Sequence, residues 1–133
     1  MRDPGIDQEI ERIGQIYHGD VVVHPCRDLT LPGRKCQPQI LYTFLGFELK
    51  MGRTRLGCPD MNTARYLRVF AEIGVGQVKL PYDPSRVQLL VTGLEHSLDR
   101  IKELLLERNL DARGHAAALR RVYARIRKRL ADG

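Results

Sequence analysis

Twelve residues, Ile40 to Met51, read with a two-residue period, apolar on both faces at the start and polar on one face at the end, and this stretch lies between segments whose apolar residues recur every three or four positions. In the alternating stretch Leu41, Thr43, Leu45, Phe47, Leu49 and Met51 share one side, which is the period of a β-strand. Upstream, Ile6, Ile10, Ile13, Ile16 and Tyr17 follow the period of a helix with one buried face. A chain that mixes the two periods in this order is expected to be α+β, and 133 residues are enough for one domain spanning residues 1–133.

The remaining elements are read from their punctuation. His18, Gly19 and Asp20 close the first helix, and the run Val21 to Val23 reads as a short buried strand ending before Pro25. The stretch from Pro25 to Pro38 holds three prolines, Gly33, Cys26 and Cys36, and reads as a long loop. Residues Ile40 to Met51 form one long strand or a hairpin about Gly46, and Gly52 to Gly57 reads as an exposed turn. A second helix is expected to start near Cys58-Pro59-Asp60, bury Met61, Ala64, Leu67, Phe70 and Ile73, and stop at Gly74.

For residues 75–91 there are two readings. One is a hairpin of Val75 to Leu80 and Arg86 to Val91 about Tyr82-Asp83-Pro84-Ser85; the other starts a helix at Asp83 with Pro84 in its first position. The capping-box spacing of Thr92 and Glu95 favours the hairpin, with a third helix from Gly93 to about Asn109. A fourth helix, basic over residues 112–131, buries Leu119, Val122, Tyr123, Ile126 and Leu130. The expected architecture is a small sheet of about four strands with an N-terminal helix, a helix inserted between strands and a C-terminal helical pair.

No stretch approaches the ~18 apolar residues of a membrane-spanning helix, and the amino terminus lacks the pattern of a secretory signal, so a cytoplasmic location is expected. Three cysteines make no self-contained disulfide framework, and reduced thiols are expected. No phosphate-binding Gly loop, Ser-centred hydrolase turn or dinucleotide fingerprint is present, so no cofactor is implied.

Charge is the strongest functional signal. Lys and Arg number 22 against 16 Asp and Glu, a net +6, but residues 1–20 carry −3 and residues 101–133 carry +5. Between Ala112 and Ala131 there are seven basic residues and no acid: Arg113, Arg120, Arg121, Arg125, Arg127, Lys128 and Arg129. On a helix the last six lie opposite the apolar stripe. Guanidinium groups make planar, bidentate contacts to phosphate, so these seven residues are the expected nucleic-acid contacts. The same pattern also fits an interaction module for an acidic protein, or a solvated basic helix end that complements the helix dipole.

Three other constellations bear on chemistry. Glu48-Leu49-Lys50 at the end of an apolar strand, with Asp28 twenty residues earlier and a helix and a strand following, resembles the PD-(D/E)xK nuclease family. The resemblance implies Mg²⁺ held by Asp28 and Glu48, with Lys50 positioning the attacking water. The alternative is a surface Glu and Lys at a strand end. His24, Cys26, Cys36 and Cys58 are zinc-type ligands without zinc-type spacing, so no metal site is expected; Cys58 alone, at a helix start near Arg53 and Arg55, would have a lowered thiol pKa. Arg65 and Arg68 on the second helix, with Asp83 to Arg86 as a wing tip, also fit a winged helix.

Overall fold

A computed structural model describes residues 3–34 and 36–132. In chain order it has α1 (Pro4–Ile16), β1 (Cys26–Thr30), β2 (Gln39–Thr43), β3 (Gly46–Met51), β4 (Thr54–Cys58), α2 (Met61–Ile73), β5 (Gln77–Pro81), α3 (Pro84–Leu106) and α4 (Ala112–Asp132). The class is α+β, with an N-terminal helix, a helix between strands and a C-terminal helical pair, as the sequence periods indicate. The five strands divide into two antiparallel sheets, β1-β5 and β2-β3-β4.

Helix α1 starts at Asp3, whose carboxylate accepts from the Gly5 N–H at 2.8 Å. It does not stop at His18. The helix widens into a π turn over Tyr17–Val21, and the Val22 N–H closes on the Tyr17 carbonyl at 3.0 Å. This overturns the strand expected at Val21 to Val23: Val21 is wholly buried inside the π turn, so its β-branched side chain is spent on helix packing. The strand comes later, at Cys26–Thr30, inside the stretch read as loop. Three of its five residues face solvent, so it carries little apolar pattern to read. Its register is fixed by β5, with Asp28 opposite Lys79 and Leu29 opposite Val78.

The alternating stretch is a hairpin, β2-β3, turning at Phe44-Leu45, and Gly52-Arg53 turns the chain again into β4. The expected turn at 52–57 is therefore a strand from Thr54 on. Leu49, Met51 and Cys58 lie on the inner face and are buried.

Helix α2 is the most enclosed element. Asp60 caps it by accepting from the Thr63 N–H at 2.7 Å, and Tyr66, Leu67, Phe70 and Ile73 are at most 1% exposed. Gly74 ends it in the left-handed region at φ 90°, with the Val75 N–H returning to the Phe70 carbonyl at 3.1 Å.

Helix α3 corrects the hairpin reading of Arg86 to Val91. Asp83 caps it through the Ser85 N–H at 3.0 Å, and Pro84 occupies the first turn. Its buried residues Val87, Val91, Leu94, Leu98, Ile101 and Leu105 are spaced alternately four and three apart, so the helical stripe runs unbroken through Thr92. Glu95 is not a capping residue but an ion-pair partner of α2. Helix α3 packs against α1 and α2, and α4 closes over α1, α2 and α3.

Candidate nucleic-acid interface

The chain reverses after α3 through Asn109, at φ 52°, and α4 begins with the Gly114 N–H bonded to the Asp111 carboxylate at 2.7 Å. Ala118, Val122, Tyr123, Ile126 and Leu130 face the core. Leu119, expected in that stripe, packs at its edge and is partly buried. Tyr123 fixes the helix against α2 by donating its hydroxyl to the Glu72 carboxylate at 2.5 Å.

Burying this stripe sorts the seven basic residues into two groups. Arg125 is hydrogen-bonded and ion-paired with Asp7, and Arg129 grips Glu11 through Nε and Nη2, each at 3.0 Å. The Arg129 hydrogen bonds hold the Glu11 carboxyl below its ordinary range. Arg127 donates from Nη1 to the Ile73 carbonyl at 2.7 Å, at the last turn of α2. Arg113, Arg120, Arg121 and Lys128 are exposed and make no ion pair among the described residues.

Spacing arranges these four together with Arg127, which is exposed although its head is bonded to Ile73. Arg113, Arg120 and Arg127 lie seven residues apart, as do Arg121 and Lys128, and seven residues advance the helix by ~10.5 Å on nearly one azimuth. Ala117 and Ala124 run between these rows, so two lines of cations flank a strip of small side chains. A hollow of about 430 Å³ lies on one side of α4, lined by Arg108, Arg121, Arg125, Asp3 and apolar Ile6, Ala118 and Val122. A smaller one of about 200 Å³ is lined by Gly33, Arg34, Ile73, Arg120, Tyr123 and Arg127. Arg34 and Arg108 carry no periodic signal in the sequence; folding alone brings them beside α4.

The other candidate constellations are dispersed. Asp28 lies on β1, where Lys79 donates to it from Nζ at 2.8 Å. Glu48 and Lys50 share the outer face of β3, as their spacing requires, in the other sheet. The Arg55 guanidinium stands 3.5 Å from Glu48 Oε2, an ion pair without hydrogen-bond geometry. Among the described residues no group of three His, Cys, Asp or Glu side chains is placed to hold a metal ion. The thiols are separate too: Cys26 donates to the Val21 carbonyl at 3.2 Å, Cys36 to Ala71 at 3.4 Å and Cys58 to Leu56 at 3.6 Å. Burial and the Asp60 charge push the Cys58 thiol up, the reverse of the lowering expected from a helix start. Arg65 and Arg68 point to Glu95 of α3, and Asp83 to Arg86 opens a helix, so the winged-helix arrangement does not form.

Among the described residues no helix is long and apolar enough to cross a membrane. Comparison with protein-family models, curated proteins and solved structures returns no match for this chain.

Proposed function

We propose that the protein binds nucleic acid along the exposed face of α4. The observation that carries this reading is the double row formed by Arg113, Arg120, Arg127 and by Arg121, Lys128, with no acidic side chain between Ala112 and Ala131. A cation row of this kind suits a repeating polyanion, because each phosphate it neutralises releases condensed counterions and the affinity accumulates along the row. Arginine also offers a planar fork of donors to phosphate oxygens. Arg125 and Arg129 are engaged by α1, and their role is to hold the helix.

The test is binding of DNA and RNA oligonucleotides across a salt series, comparing the parent with Arg113, Arg120, Arg121 and Lys128 all replaced by Gln. The parent should bind at low salt, and the variant should lose roughly 3 to 4 from the slope of log affinity against log salt on duplex DNA. Equal binding by the two proteins overturns the proposal. A partner captured through the same residues that survives nuclease treatment would identify an acidic protein instead.

A further inference from the structure

Two of the hollows beside α4 differ in charge. The larger is lined in part by Asp3, whereas the smaller is lined by three arginines, Arg34, Arg120 and Arg127, and by no acidic residue among the described residues. The smaller is also built by close backbone approach. A Cβ on Gly33, itself at φ 73°, would stand 3.1 Å from the Gly76 Cα, and one on Gly74, at φ 90°, would be in ordinary contact with the Arg34 carbonyl carbon. Glycine at position 33 lets the loop carrying Arg34 close on Gly76 in the turn after α2. Arg127 is anchored there through its 2.7 Å bond to the Ile73 carbonyl, which occupies one of its five N–H donors. The Glu72 carboxylate behind the hollow is engaged by the Tyr123 hydroxyl and by Lys102 Nζ at 2.8 Å.

We propose that this hollow receives a phosphate monoester, the terminal phosphate of a nucleic-acid strand; the inference rests on the reading of α4 as a nucleic-acid interface. An internal phosphodiester carries one negative charge and is served by single cations spaced along a row. A terminal monoester carries about −1.5 to −2 near pH 7 and three acceptor oxygens on one phosphorus, which suits a hollow lined by the three arginines Arg34, Arg120 and Arg127. At about 200 Å³ the hollow is smaller than the pockets that enclose whole drug-sized ligands, so it fits a phosphate with part of its sugar. Tyr123 is 6% exposed and offers no free ring face for stacking a base, so recognition is of the phosphate.

The experiment uses the full chain and one single-stranded oligonucleotide of about a dozen nucleotides in three forms: hydroxyl-ended, 5′-phosphorylated and 3′-phosphorylated. At matched salt, one phosphorylated form should bind about tenfold more tightly than the hydroxyl-ended form, the worth of one added charge-assisted contact. The form that gains identifies the end recognised. Arg34→Gln should remove that preference, and Arg120→Gln, also at an exposed position, should remove it while weakening all three strands. Arg113→Gln, outside the hollow, should weaken the three strands equally and keep the preference. Equal binding of all three forms by the parent, or a preference that persists in Arg34→Gln, overturns the monoester site and leaves the reading of α4 standing. No binding of any form overturns both.

Discussion

Arg129 of α4 reaches the Glu11 carboxylate of α1 through two contacts of 3.0 Å, and Arg125, one turn earlier, reaches Asp7, one turn earlier on α1. The matched steps mean that the two helices run in the same direction along this seam. They also explain why the first twenty residues are acidic in a basic protein: the −3 segment neutralises one flank of the most basic helix and leaves the other flank free. Arg125→Gln should therefore cost about 0.5–1 kcal/mol of stability, more at low salt than at high salt. Asp7→Asn and Glu11→Gln should also weaken the seam, yet tighten polyanion binding by releasing positive charge. Thermal unfolding beside oligonucleotide titration separates the two effects. Affinity that falls together with stability in Asp7→Asn would show that the seam belongs to the binding face.

Glu95 provides a prediction about pH. Burial pushes its carboxyl up, but the hydrogen bonds and charge of Arg65, joined by Arg68, push it further down, leaving it below its ordinary value of 4.5. A carboxyl depressed in the folded state contributes stability that is complete above the unfolded value and is lost as the pH falls through the folded one. Stability should thus decline from about pH 4.5 downward. Glu95→Gln should remove about 1–2 kcal/mol at neutral pH and flatten the acid limb. Urea denaturation at several pH values reads both, and an unchanged acid limb in the variant would assign that limb to other carboxyls.

Which elements could be read from the sequence follows from what the tertiary structure asks of them. Helices α1, α2 and α4 and the β2-β3 hairpin bury a regular face, so their periods survive in the sequence as Ile6-Ile10-Ile13, Leu67-Phe70-Ile73, Val122-Ile126-Leu130 and Leu49-Met51. Strand β1 and the start of β4 bury little, so Arg27, Asp28, Thr54 and Arg55 carry no apolar alternation; β1 is defined by β5, far along the chain, and β4 by its pairing with β3 across the Gly52-Arg53 turn. Helix α3 was legible in the spacing of Val87, Val91 and Leu94; the Thr92-Glu95 pair misdirects because Glu95 serves Arg65 instead of the backbone. At the candidate interface the outward positions of Arg113, Arg120, Arg121 and Lys128 follow from helical spacing. The inward engagement of Arg125 and Arg129 does not, since it depends on where α1 lies. Arg34 enters through glycine contacts that only the folded chain makes.

Gly74 links the end of α2 to the small hollow. Its φ of 90° lies where an L side chain meets its own backbone, and an added Cβ would also stand 3.2 Å from the Arg127 Nη1. Gly74→Ala should cost about 1–2 kcal/mol through the left-handed conformation alone. It should also displace the Arg127 head from the Ile73 carbonyl, so any preference for a phosphorylated strand end should weaken with it. Chemical denaturation measures the first effect. A variant as stable as the parent would show that the helix end relaxes out of the left-handed region at no cost.

The three thiols give the last test. Burial pushes Cys26, Cys36 and Cys58 up, with the Asp28, Glu72 and Asp60 carboxylates respectively adding to it. The thiolate is the reactive form, so all three should alkylate more slowly than a free cysteine near neutral pH, and Cys58, 8% exposed, should be the slowest. Denaturant should bring the three to one common rate. The same displacement makes stability depend on alkali. An acid whose folded pKa lies above its unfolded value holds its proton in the folded chain while the unfolded chain releases it, so stability falls as the pH rises past the ordinary thiol value of 9.0. Tyr66 and Tyr123 are pushed up chiefly by burial as well, and they extend the loss to higher pH. Mass-resolved alkylation of the native protein ranks the three sites, and a Cys58 that reacts fastest would show that the β4-α2 junction opens more readily than its burial implies.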